Sequence, residues 1–178
     1  ISVMNAAADA AQEEEEMSSE KKLYFPMFVD LTDKKVVVVG AGTIAKRRIR
    51  TMADFTNHLV VIAPEVNPEL KELEEAGKLT ILKKTYQQED ICDASMVIAA
   101  TSDNKVNQEI YAACKCLGIP VNVYKDKTKC DFFFPGVATY EHTVVGVSSS
   151  GREQRKSRGI AEKIQNFLKE EMEGKEEQ

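Results

Sequence analysis

The residues best placed to do chemistry are Gly40, Ala41, Gly42, Thr43, Ile44 and Ala45, which spell GxGxxA directly after the apolar run VVVV at 36–39. At a strand-to-helix junction this spacing makes a phosphate cradle. Gly40 permits the tight turn, Gly42 leaves no Cβ between the backbone and a pyrophosphate, and Ala45 lets helix and strand pack closely. The unbonded N–H groups and positive dipole end of the following helix then face the phosphates. A dinucleotide is the ligand class implied. An acid at the end of the second strand would accept a ribose 2′-hydroxyl, and Glu65, after Ala63 and Pro64, can serve, with no arginine beside it to take a 2′-phosphate. NAD is therefore expected over NADP.

Two groups of cations come next. Lys46, Arg47, Arg48 and Arg50 follow the loop on the first helix, where such a run is ordinarily a solvated face and alternatively binds an anionic substrate. Arg152, Arg155, Lys156 and Arg158 stand at the start of the last helix, where the dipole disfavours cations by about 0.3–1 kcal/mol each. That placement suggests an anionic partner, for which Ser148, Ser149 and Ser150 would add hydroxyl and amide donors. His142 falls in an expected hairpin turn and reads as an exposed structural histidine, with a metal or proton-relay role as the alternative; His58 reads as structural. The four cysteines form no CxxC pair. Cys114 and Cys116 are read as core thiols pointing to different sides of a helix, and Cys130 beside Asp131 as a weak metal-ligand candidate, so no metal site or disulfide scaffold is expected.

The elements that must hold these groups alternate. VVVVG at 36–40 is too uniformly apolar to have a wet face, as in a parallel strand covered on both sides. A helix is expected from Thr43 to about Asp54, a strand over 58–64, and a helix opened by Asn67 and Pro68 and stopped by Gly77. Further strands are expected at 79–84, 95–101 and 119–124, with a helix from Asp103 to Leu117 stopped at Gly118. This spacing implies right-handed crossovers and a Rossmann-like, doubly wound parallel sheet, with its ligand at the C-terminal strand ends. After Pro135 a hairpin turning at Glu141 and His142 and a helix over about 153–173 have no place in that sheet. They are expected to form a second layer or a dimer contact.

Charge and composition frame this α/β expectation. The 178 residues carry 24 Lys+Arg and 29 Asp+Glu, a net charge of -5, which taken alone argues against an anionic partner. The acids are concentrated at the ends, however, leaving 20 basic and 18 acidic residues within 23–168. Residues 1–22 read as an acidic tail with too little apolar surface to fold, 23–135 as the NAD-binding domain and 136–178 as the hairpin and helix. No apolar run approaches membrane length and no signal peptide is evident, so a cytoplasmic protein with no membrane or nucleic-acid partner is expected.

YFPMFVDL (24–31), VVVVGAGTIAKRR (36–48), VIAP (61–64), VIAATSDNKVNQ (97–108), IPVNV (119–123), CDFFFPG (130–136) and VGVSSSG (145–151) follow one another in the order and spacing of the siroheme synthase N-terminal module. The chain thus resembles the precorrin-2 dehydrogenase family, some of whose members also insert iron. The resemblance implies NAD-dependent oxidation of precorrin-2 to sirohydrochlorin and a homodimer built through the region after Pro135. It also implies cofactor contacts from Thr43, Ile44, Pro64 and Glu65, with Thr101 beside the nicotinamide and Asn122 near the catalytic floor. Precorrin-2 is a polycarboxylate, and Ser149, Arg152 and Arg155 are the residues expected to clasp it. Many relatives continue into a small helical domain; its absence here suggests an open site or a lid supplied by a partner.

One position departs from the family. The aspartate usually found three residues after the NV asparagine is Lys125 here, with Asp126 adjacent. A carboxylate accepts a proton at neutral pH, whereas a lysine does so only if burial or a cationic neighbour lowers its pKa by several units. Successive strand residues face opposite ways, so Asp126 can replace the missing acid only if the chain turns there. Lys125 and Asp126 are the catalytic candidates, against a reading of both as ordinary loop charges. A module that binds dinucleotide or tetrapyrrole without turnover, and a bifunctional dehydrogenase and ferrochelatase, are the alternatives.

Overall fold

The computed structural model describes residues 23–150 and 152–176. The acidic tail read over 1–22 lies outside the described residues. Strand β1 (Lys35–Val39) is the centre of the molecule. Val36 and Val38 pack with Ala45 and Ile49 of helix α1 (Thr43–Met52) on one face, while Val37 and Val39 pack with Ile110 and Cys114 of helix α3 (Asn104–Leu117) on the other. Both layers therefore draw on one uninterrupted valine run, which explains its lack of apolar–polar alternation.

Strand β2 (His58–Ile62) is followed by a 3₁₀ turn at Pro68–Leu70 that runs into helix α2 (Lys71–Glu75). The Asn67 side chain accepts from Glu69 N at 3.1 Å, so the expected opening of that helix is present. Strands β3 (Thr80–Leu82), β4 (Met96–Ala99) and β5 (Val121–Val123) complete the sheet. All five strands are parallel in the order β3-β2-β1-β4-β5. The expected doubly wound sheet is thus observed, with shorter strands than the apolar runs suggest. Asp103 caps α3 by accepting from Lys105 N, and Gly118 ends it at φ +68°.

The strand order reverses between β1 and β4, where an open α/β sheet leaves a crevice at its C-terminal edge. Val39 is level with Ala99, and Ala99 with Val123. Gly40, Ala100 and Tyr124 therefore emerge side by side along that edge.

The hairpin β6 (Gly136–Tyr140) and β7 (Thr143–Val147) forms a separate antiparallel sheet covered by helix α4 (Gln154–Glu176). A Cβ at Gly136 would lie 2.6 Å from the Ser157 carbonyl, so a glycine lets helix and strand approach this closely. Gln165 reaches from α4 to bond both the N–H and C=O of Thr139 at 2.8 and 2.7 Å, satisfying part of an otherwise open strand edge. Among the described residues no helix is long and apolar enough to cross a membrane.

Candidate functional site

The glycine loop has the shape its spacing implies. Gly40 adopts φ +106°, and a Cβ there would lie 2.5 Å from the carbonyl oxygen of Ala100, so its freedom serves the close passage of β1 and β4 as well as the turn. Gly42 is the N-cap of α1, extended, with no side-chain cap and no acid in the first helical turn. A Cβ on Gly42 would meet nothing within 4 Å. The helix start is thus uncapped and open, which fits a dinucleotide pyrophosphate held by backbone N–H groups. Thr43, Ile44, Pro64 and Glu65 are exposed around it, the last two just beyond β2.

Thr101 leaves β4 in a fixed position. The buried amide of Asn107 accepts from its N–H at 3.2 Å, donates to its carbonyl at 3.1 Å and lies 2.8 Å from its hydroxyl. Asn122, in the middle of β5, is equally committed. Its Nδ2 donates to the Phe132 carbonyl at 2.7 Å, and its Oδ1 accepts from Arg48 Nη1 at 2.7 Å.

Beyond β5 the chain turns. Lys125 takes the left-handed value φ +67°, with Nζ 5.4 Å from the Tyr124 ring centre. Asp126 then caps a 3₁₀ turn over Lys127–Lys129, accepting from Thr128 N at 3.2 Å and the Thr128 hydroxyl at 2.6 Å. The hydroxyl bond, aided by the Lys129 charge 3.5 Å away, holds the Asp126 carboxyl below the usual aspartate value. Because the strand ends at Val123, Lys125 and Asp126 both line the same cleft, of about 540 Å³, with Asn122, Arg48, Arg152 and Arg155. Residues from β5, α1 and the approach to α4 are brought together there. Ser149, whose carbonyl accepts from Arg152 N at 3.0 Å, lines a different, smaller cavity of about 240 Å³ from the one lined by Arg152 and Arg155. Its hydroxyl accepts from Glu153 N at 2.9 Å, stabilising the turn into α4.

A family model for putative NAD(P)-binding proteins matches residues 27–136. The siroheme synthase of Nitrosospira multiformis is 36% identical over 149 residues, covering 82% of this chain and 32% of that protein. A probable multifunctional siroheme biosynthesis protein, HemA, of Ruminiclostridium josui is 34% identical over 144 residues, covering 80% of this chain and 28% of that protein. The chain spans about a third or less of these relatives. Among solved structures, SirC, a precorrin-2 dehydrogenase, superposes with a TM-score of 0.68 at 25% identity, covering 81% of this chain and 70% of that one. The chain belongs to the NAD(P)-binding family of siroheme synthases and precorrin-2 dehydrogenases. Its Rossmann-like sheet, appended hairpin and last helix match the fold of SirC.

Membership does not erase what the residues correct. The run after the glycine loop is not one solvated face. Lys46 and Arg50 share Glu69, at 2.6 and 3.0 Å, and hydrogen bonding from Lys46 holds that carboxyl low. Arg48 is buried. Cys116, expected in the core, is exposed because two residues on a helix rotate it away from buried Cys114, whose thiol burial pushes up to about 11. Half-buried Cys130 points Sγ toward the Val123 and Asp126 carbonyls, at 3.3 and 3.2 Å. Among the described residues no group of three His, Cys, Asp or Glu could hold a metal ion. His142 is exposed at the hairpin tip. Asn107 was not singled out, although its i, i+3, i+7 relation to Ile110 and Cys114 marks the buried face of α3.

Proposed function

We propose that this chain oxidises precorrin-2 to sirohydrochlorin with a nicotinamide cofactor, NAD in preference to NADP. The observation that carries this is one shared sheet edge. There the open glycine cradle of β1 and the cationic cleft past β5 stand together. The name of SirC supports the reaction, and the siroheme synthases support its setting. Exposed Glu65, with no arginine beside it, supports NAD.

When bound, the cofactor supplies a hydride acceptor. The chain's own residues do the rest. Thr43 and Ile44 at the start of α1 and Pro64 and Glu65 after β2 hold the dinucleotide. Thr101, locked by Asn107, limits how the reactive ring can sit at the end of β4, and Asn122 supports the cleft floor. Lys125, Arg152 and Arg155 receive the carboxylates of the tetrapyrrole, with Ser149 fixing the turn that carries the arginines. Asp126 accepts the proton that leaves with the hydride; its ionised state suits a base. Residues 23–135 form the NAD(P)-binding part, and 136–178 pair two copies into a homodimer through the exposed side of α4. We place this work in the cytoplasm.

Anaerobic incubation of the purified protein with precorrin-2 and NAD⁺ tests the reaction. NADH and sirohydrochlorin absorbance should rise together, faster than with NADP⁺. No product above the uncatalysed rate overturns it.

A further inference from the structure

Arg48 is a buried cation without an anion. Only 5% of its surface is exposed. Among the described residues its guanidinium makes one hydrogen bond, from Nη1 to Asn122 Oδ1, and its Nε has no partner. Among the described residues no carboxylate forms an ion pair with it. Its flanks are aromatic, with the Tyr124 and Phe134 ring centres at 5.9 and 5.6 Å. Burial is the main influence on its pKa and lowers it, while Cys130, Arg47 and Tyr124 are the ionisable groups around it. A guanidinium nevertheless keeps its proton.

A single bond to a neutral amide is a poor return for desolvating a charge, and buried cations are ordinarily paired. The contrast along the same helix is instructive. Lys46 and Arg50, which solvent could screen, share Glu69. Arg48, which solvent barely reaches, has no acid.

Arg48 also lies where a ligand would meet it. It lines both the 540 Å³ cleft and the smaller cavity next to it, together with Phe133, Phe134 and Gln154. The acids of the main cleft are already engaged: Asp126 by Thr128 and Lys129, and Glu153 by Lys156 at 3.0 Å. Among the described residues no acid of the cleft is left to pair with Arg48, which leaves the place of its counter-ion to a bound anion.

We infer that Arg48 is the seat of one ligand carboxylate, the counter-ion that the fold leaves out. Asn122 anchors one side of the guanidinium, the two aromatic rings keep it desolvated, and its remaining N–H groups donate to a carboxylate in two-pronged fashion. This rests on the proposal that a polycarboxylate tetrapyrrole occupies the cleft, and it names the residue that recognises it there.

Uroporphyrin, a stable porphyrin with peripheral carboxylates, and its neutral water-soluble amide are the probes, with binding followed by porphyrin fluorescence. The wild type should prefer the acid strongly. R48Q should weaken acid binding tenfold or more with little effect on the amide, and R48K, which keeps the charge but not the fork, should fall between them. If R48Q does not fold, a reduced acid-to-amide preference in R48K carries the same meaning. With precorrin-2, KM should rise more than kcat falls. NAD⁺ affinity should stay within about twofold. An acid preference as large in the folded variants as in the wild type overturns the inference, as does a wild type with no preference. Absence of turnover together with an Arg48-dependent preference overturns the oxidation and not the carboxylate seat.

Discussion

Under the proposed reaction Asp126 would be the base and Lys125 a contact for a substrate carboxylate, two roles at neighbouring positions. The left-handed turn at Lys125 ends the alternation of strand faces, so the two neighbours reach one cleft. Asp126→Asn keeps an acceptor for Thr128 and so preserves the cap, but it cannot take a proton. We expect it to lower kcat by about 10²-fold or more with little change in KM, the usual scale for a removed general base. In the wild type the acid limb of the pH profile should fall below the ordinary aspartate value of about 4, because Asp126 is held low and loses activity only when protonated. Lys125→Asp should raise KM severalfold without raising kcat. A large gain in kcat would mean that Asp126 is not the base. At this scale the sequence is only half legible. The turn could be suspected from Lys125-Asp126-Lys127-Thr128, but the capping of Asp126 could not. Arg48 was hidden in a run of cations, although Ala45, Arg48, Ile49 and Met52 stand at i, i+3, i+4 and i+7, the spacing of a core-facing stripe.

The glycine loop shows why an element can be easier to read than a residue. Its strand, its turn and its helix each carry a signal, and the three agree: an unbroken valine run, a Gly40 that must take positive φ, and a helix whose apolar spacing begins at Ala45. The two glycines nevertheless do different work. Gly40→Ala forces a side chain into φ +106° and against the Ala100 carbonyl, and should destabilise the fold by about 2 kcal/mol or more in denaturant titration. Gly42→Ala meets open space at an ordinary φ and should leave stability within about 0.5 kcal/mol. Its added methyl group would stand in the phosphate cradle, and the Kd for NAD⁺ should rise tenfold or more by calorimetry. Equal stability loss in both variants would show that Gly42 is structural. Strand ends were less legible than the loop, because apolar residues such as Leu79 and Ile119 continue the core beyond the last ladder bond.

Across the whole molecule the charge count changes meaning. The net charge of -5 comes from the two ends of the sequence, while within 23–168 basic residues slightly outnumber acids. Arg48, Lys125, Lys127, Arg152, Arg155 and Lys156 line the cleft where α1, β5 and the start of α4 meet, against Asp126 and Glu153, so a nominally acidic chain presents a cationic cleft. The same helix that brings Arg155 to this cleft has a second face. Ser157 and Ala161 are buried on the β6 side and Gln165 brackets its edge, whereas Ile160 and Phe167, seven residues apart and so on one stripe, are 41% and 59% exposed. That stripe suits a second copy of the chain, the homodimer proposed above. Phe167→Asp should therefore give a monomer in sedimentation equilibrium while leaving thermal unfolding of the parallel sheet cooperative. A dimer that survives the substitution would exclude this face. If the monomer forms and KM for precorrin-2 also rises, pairing of α4 is what holds Arg152 and Arg155 over the cleft; if KM is unchanged, each copy builds its site alone.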